Sequence, residues 1–265
     1  MADSLLSLQK ISHFYGKEER TQVLFDVNLE ISPGEYLAII GRSGSGKTTL
    51  LNIIGTLDRP SEGKIFFRGE NLFDRNDDGL ALFRNQSLGF IFQFHFLLPE
   101  FTALENVLLP YRMAHKKVPP AVEARAKELI DRVGVASRMY NKSTNLSGGQ
   151  QQRIAIARSM INNPAVILAD EPTGNLDSES SEDVNKLMRE INADSGTTFI
   201  IVTHDRHIAA KCDRVVEMLD GKVDRDLKTA AHSDEENWQE LGPDYCPRCQ
   251  ARENQARAAK ELGAL

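Results

Sequence analysis

Cysteine is scarce in this sequence, with only Cys212, Cys246 and Cys249 among 265 residues. Three thiols are a poor basis for a disulfide framework, so a reducing cytoplasm is the simpler expectation. Long apolar runs are missing too. Residues 37–40 and 166–169 are strand-sized, and nothing approaches the roughly 20 residues that cross a bilayer as a helix. The opening Met1-Ala2-Asp3-Ser4 has neither the positive region nor the apolar run of a signal peptide. Positive charge is not in excess. The 38 acidic and 32 basic side chains leave a net charge of −6, so no global basic field calls for nucleic acid. No short-period repeat of the solenoid or propeller kind occurs. Any membrane role is therefore expected to come through a partner.

What is present is an ordinary globular composition, 41% hydrophobic and 26% charged, long enough for one large domain or two small ones. Leu24, Val27, Leu29 and Ile31 form an apolar series ahead of a Pro33-Gly34 turn. Leu37-Ala38-Ile39-Ile40 predicts a buried strand running into a glycine-rich loop, with a helix from 46 to about 55. Ile65-Phe66-Phe67 predicts another strand. Pro119-Pro120 precedes a helical pattern of Val122, Ala126, Leu129, Ile130 and Val133. Val166-Ile167-Leu168-Ala169 has the continuous apolar character of a strand buried on both faces. A helix around 180–191 and a strand at Phe199-Ile200-Ile201-Val202 follow. This alternation predicts an α/β core with a parallel sheet. From about Thr229 the chain turns polar and acidic, with Asp234, Glu235 and Glu236 before Gly242-Pro243. Residues 229–265 read as an appendage to a domain spanning 1–228.

Gly41-Arg42-Ser43-Gly44-Ser45-Gly46-Lys47-Thr48 fits G-x-x-x-x-G-K-[ST] between a predicted strand and a predicted helix. Glycines let backbone N–H groups approach phosphate oxygens, and the helix N-terminus adds a positive dipole end. Lys47 is expected to neutralise β- and γ-phosphate charge, and the Thr48 hydroxyl to ligate Mg²⁺. Asp170-Glu171 directly follows the buried strand, at the sheet's carboxyl edge, where ligands bind in open α/β sheets. Asp170 is the candidate for positioning Mg²⁺ and Glu171 for the general base that polarises water.

Leu146-Ser147-Gly148-Gly149-Gln150 narrows this further. Glycines and a serine leading into a helix carrying Ile154, Ile156, Ala157 and Met160 make a second anion-binding helix terminus. With its L-S-G-G-Q signature and every expected motif in order over roughly residues 5–223, the chain resembles the ATP-binding cassette (ABC) ATPases. The resemblance implies a P-loop NTPase fold with a mainly parallel core sheet, an N-terminal antiparallel β subdomain and a helical subdomain over roughly 94–160. It implies that Tyr15 stacks on adenine and that residues 41–49, ending at Thr49, hold ATP. Gln93 stands at the Q-loop, a further Mg²⁺ contact and catalytic residue. Gly174-Asn175-Leu176-Asp177 resembles the D-loop, with Asp177 reporting across a dimer, and His204 matches the switch histidine. It also implies a head-to-tail homodimer in which each ATP lies between one chain's phosphate loop and the other's signature.

The stretch Gln93-Phe94-His95-Phe96-Leu97-Leu98-Pro99-Glu100-Phe101-Thr102-Ala103-Leu104-Glu105-Asn106-Val107 is similar in wording to the LolD family, the ATPases of lipoprotein-releasing complexes, within a wider group of MacB-type and FtsE-type ATPases. An exposed apolar patch there suits helix-in-groove binding. The resemblance implies a separate permease subunit of LolC/LolE or MacB type, a place at the cytoplasmic face of a Gram-negative inner membrane, and lipoprotein release, or MacB-like efflux or envelope-stress work. A soluble ABC protein acting on ribosomes or DNA usually needs two cassettes or a long coiled-coil insertion, and neither is present. In the tail, Cys246-Pro247-Arg248-Cys249 is a lone C-x-x-C. A structural zinc site needs four ligands, so His232 would be a third at most and a second copy of the tail would have to supply two further cysteines, and an exposed turn serves the pattern equally well. Cys212 reads as a packed small residue.

Overall fold

The computed structural model describes residues 4–16 and 19–229. Strand β1 (Leu6–Tyr15) pairs antiparallel with β2 (Thr21–Ile31). Next come β3 (Tyr36–Gly41) and helix α1 (Lys47–Ile54), then β4 (Glu62–Phe67) and the short β5 (Glu70–Asn71). These first strands, β3 excepted, form an antiparallel sheet in the order β2-β1-β4-β5. Helix α2 (Asp77–Ser87) leads into β6 (Leu88–Phe92). Three helices follow, α3 (Ala103–Ala114), α4 (Pro120–Arg132) and α5 (Gly148–Met160). The chain then alternates through β7 (Val166–Asp170), α6 (Ser178–Ser195), β8 (Thr198–Val202) and α7 (Arg206–Ala210) before the hairpin β9 (Arg214–Leu219) and β10 (Lys222–Lys228). The second sheet runs β10-β9-β3-β8-β7-β6, parallel throughout except for the antiparallel β10 edge.

Burial explains the apolar runs. Every residue of β3 is buried, because both faces of the parallel sheet are covered. Leu37 and Ile39 pack with β1, β2, β4 and α1 into one core, while Ala38 and Ile40 pack with the helices on the other side. Burying one such aliphatic side chain contributes about 1.5–3 kcal/mol. The helices have distinct starts. Thr102 opens α3 and Ser147 opens α5, each through a reciprocal capping box with the residue three further on. Asp177 caps α6, and Gly196 at φ 66° ends it. Helix α4 stops at Arg132, so Val133, expected within its pattern, is the C-cap instead.

Thr229, the last described residue, is buried. Its amide donates to the Asp213 carbonyl and its hydroxyl to that of Cys212. Cys212 is buried as expected, with burial raising its thiol pKa. His232, Cys246 and Cys249 lie outside the described residues.

Register brings the ends of β8, β7 and β6 to one level, with β3 running two residues further. Ile39 pairs with Val202, Val202 with Asp170, and Asp170 with Phe92. The residues just past these ends line the carboxyl edge of the sheet.

Candidate functional site

At that edge lies a cavity of about 390 Å³ whose lining includes Gly41, Lys47, Thr48, Asp170, Glu171 and His204. Ser43, Gly44, Gly46 and Thr49 complete the loop's share, and Val23 and Val202 are apolar contributors that the sequence did not single out. Gly46 is the N-cap of α1 at φ 94°, with no side-chain cap, so the first-turn N–H groups are left to a ligand. A Cβ at Gly46 would come within 2.8 Å of Leu24 Cδ2 and 3.1 Å of the Val23 carbonyl, which together with the positive φ favours glycine there. Ser45 is buried beneath the loop, and its amide donates to the carbonyl of Arg42. Lys47 Nζ donates to the carbonyls of Gly41 at 2.8 Å and Arg42 at 2.9 Å. Burial lowers the Lys47 pKa, against the opposing pull of Glu171 and Asp170.

The acidic pair divides into two environments. Asp170 ends β7, and its pKa is raised by burial and then by the charge of Glu171. Glu171 sits at φ 46°, with its amide on the Val202 carbonyl at 2.9 Å. Its Oε1 is 2.8 Å from His204 Nδ1, and its Oε2 accepts from the Thr203 hydroxyl at 3.4 Å. A carboxylate, an imidazole and an ammonium thus share one cavity above a helix N-terminus, a set suited to binding a polyphosphate and activating water. The donor set also fits Mg²⁺. The hard oxygens of Thr48 and Asp170 border the same space, and this ion commonly takes one or two protein oxygens plus phosphate and water.

Other expected residues stand elsewhere. Gln93 does not line the cavity. Its Nε2 donates to Asn175 Oδ1 at 3.1 Å, and Asn175 Nδ2 donates back to the Gln93 carbonyl at 3.2 Å. Tyr15 is also outside the lining, packed edge-on against His13 with its hydroxyl 3.3 Å from Asp58 Oδ2. The signature residues Leu146, Ser147, Gly148, Gly149 and Gln150 border none of the cavity. Leu146 is buried as an anchor, and Ser147 caps α5. Asp177 accepts from the Ser180 amide at 2.9 Å and hydroxyl at 2.7 Å, and these bonds lower its pKa.

A profile described as ABC transporter matches residues 24–174, more than half of the chain. The chain belongs to the ABC transporter family. Its ATPase relatives include a lipoprotein-releasing system ATP-binding protein, LolD 1, of Rhodopseudomonas palustris, 48% identical over 84% of this chain and 99% of the relative. A LolD protein of Shewanella oneidensis is 52% identical over 83% of this chain and 96% of the relative. Among solved structures, the dimeric post-hydrolysis cassette MJ0796 bound to ADP and Pi matches with 41% identity and a TM-score of 0.77, covering 84% of this chain and 98% of that one. CbiO1 of Clostridium perfringens, part of the CbiONQ transporter complex, matches at 28% identity and a TM-score of 0.79 over 95% and 99%. This ABC protein is accordingly an ATPase that serves transport, built on the P-loop cassette fold expected from its sequence.

This ABC subunit has a second concavity, of about 450 Å³, beside the β6 edge. Leu57, Phe90, Phe92, Phe96, Met113 and Arg158 line it. Phe96 and Met113 are 61% and 78% exposed, an apolar surface of the kind that receives a partner. Of the run from Gln93 to Val107, Phe94, Phe96 and Leu98 are exposed as expected, whereas Ala103, Leu104 and Val107 belong to the core. No described helix is long and apolar enough to cross a membrane. Among the described residues no cluster of three or more His, Cys, Asp or Glu is arranged to hold a metal.

Proposed function

We propose that this chain is the ATP-hydrolysing subunit of a lipoprotein-releasing complex, acting as a homodimer on a LolC/LolE-type membrane subunit at the cytoplasmic face of the inner membrane. The observation that carries this reading is the 48–52% identity to proteins of that description over nearly their whole length. The exposed apolar concavity beside β6 supports the membrane subunit as partner.

In this reading residues 41–49 cradle the phosphates of ATP, Lys47 neutralises the β- and γ-phosphates, and Tyr15 stacks on adenine. Thr48 and Asp170 would hold Mg²⁺, with Gln93 as a further candidate ligand. The ion, when bound, screens phosphate charge. Glu171 accepts the proton of the attacking water, and His204 orients that water towards the γ-phosphate. The separation of the signature from the cavity within one chain supports a site completed in trans by Ser147, Gly148 and Gly149 of a second copy. Asp177 relays closure across the dimer.

Affinity capture of the tagged full-length chain from detergent-solubilised membranes tests the reading. A four-helix LolC/LolE-type subunit with bound lipoprotein is the expected catch. A MacB-type subunit, or ribosomes without any membrane protein, overturns the assignment to lipoprotein release.

A further inference from the structure

His95 is buried, with its backbone at φ 58°, two residues beyond Gln93. Its Nδ1 lies 2.5 Å from Oε1 of Gln152, a fully buried side chain on α5 five residues past Ser147. The Gln152 amide nitrogen donates to the Pro172 carbonyl and, at 3.4 Å, to that of Phe92. With its nitrogen committed to two carbonyls, Gln152 offers His95 an acceptor, which the Nδ1–H tautomer of the imidazole satisfies. Arg158, six residues further along α5, donates to the carbonyls of His95 at 2.7 Å and Phe96 at 2.6 Å. Pro172 is the residue after Glu171. Glu171 holds a left-handed backbone that a non-glycine residue adopts only when its surroundings impose it. One polar chain therefore runs from the wall of the apolar concavity, through α5, to the carbonyl of the residue that follows the carboxylate.

We propose that His95 and Gln152 are positioning residues for Glu171, acting through the Pro172 carbonyl to fix the backbone that aims the carboxylate. The inference rests on the reading of Glu171 as general base. Neither side chain lines the nucleotide cavity, so the pair acts on turnover and leaves ATP binding alone. Because Phe92, Phe96 and Arg158 line the concavity, a partner seated there presses on the same chain of bonds.

The test measures kcat, KM and the affinity for a non-hydrolysable ATP analogue in the full-length protein. His95→Phe keeps the ring volume and removes the bond to Gln152. Gln152→Leu removes all three bonds. Both are expected to lower kcat by about tenfold or more, since small misplacements of catalytic groups cost up to roughly a hundredfold, with analogue affinity unchanged. His95→Asn places an amide N–H where Nδ1–H stood and restores most of kcat. The double variant is expected to be no worse than Gln152→Leu alone. Should His95→Phe fail to fold, Gln152→Leu and His95→Asn carry the same comparison. Unchanged kcat in a folded Gln152→Leu, analogue affinity falling in step with kcat, or His95→Asn as poor as His95→Phe would overturn the assignment. Glu171→Gln run alongside separates the two readings. If it hydrolyses ATP normally, the base is misassigned; if it is dead while Gln152→Leu is normal, only the positioning role fails.

Discussion

Nδ1 of His204 stands 2.8 Å from Oε1 of Glu171, while the other carboxylate oxygen takes the Thr203 hydroxyl at 3.4 Å. Both oxygens are held, so the aim of the group is set before water arrives. Glu171→Gln preserves shape and removes the carboxylate charge proposed to act as base. Hydrolysis is expected to fall by about 10²–10⁴, with ATP still bound and a nucleotide-loaded dimer accumulating. Single-turnover assays and size-exclusion chromatography in ATP read both effects, and a wild-type rate would reject Glu171.

Lys47 borders the cavity at the carboxyl edge of the sheet and Ser147 does not. Lys47→Ala and Ser147→Ala chains are each expected to be inactive alone. Mixed in equal amounts, they form heterodimers with one doubly damaged site and one intact site. Partial recovery of hydrolysis on mixing is the expected outcome. No recovery, despite heterodimers seen by native mass spectrometry, would argue against completion in trans. Ser147→Ala also removes a helix cap and is expected to cost about 1 kcal/mol of stability.

Burial, and then the charge of Glu171, raises the Asp170 pKa, so the folded state binds that proton more tightly than the unfolded state does. Ionising Asp170 costs no stability below its unfolded pKa, costs progressively more as pH rises towards the folded value, and costs the full amount above it. Asp170→Asn is therefore expected to raise Tm at neutral pH while lowering Mg²⁺-dependent hydrolysis by about 10²-fold. Calorimetry and a phosphate-release assay check the pair. A lowered Tm would contradict the electrostatic account.

Met113 is 78% exposed on the wall of the apolar concavity. Met113→Lys removes no packing and adds a cation beside Arg84 and Arg158, which also line it. Folding stability is expected to stay within about 0.5 kcal/mol, with the ATP turnover of the isolated chain unchanged. Capture of the membrane subunit should be lost, as measured by pull-down from solubilised membranes. Undiminished capture would place the docking surface elsewhere.

The phosphate loop and the acidic pair were legible because each is a local pattern tied to a strand end. Strand β1 was harder to read, since register shifts after Leu8, Ile11 and His13 break its two-residue period. Strand β6 carries Gly89, which weakens a strand signal. Only the fold shows why glycine stands there, as a Cβ would meet the Ser159 carbonyl at 2.6 Å. The bond from Gln93 to Asn175 spans 82 positions and that from His95 to Gln152 spans 57, so no local spacing announces either. Tyr15 matched its motif, yet its ring packs against His13, and its hydroxyl faces Asp58.

The level at which the strands end has a consequence for assembly. Phe92, Asp170 and Val202 lie side by side in the parallel ladder, and the residue following each is Gln93, Glu171 or Thr203. A slip of one residue in any of these strands would carry its functional neighbour about 3.3 Å along the sheet and turn it to the opposite face. Turnover is thus a gauge of strand alignment. A preparation whose sheet has annealed out of step would retain its helices and compactness but lose hydrolysis, which makes specific activity a sharper measure of correct refolding than any spectroscopic count of secondary structure.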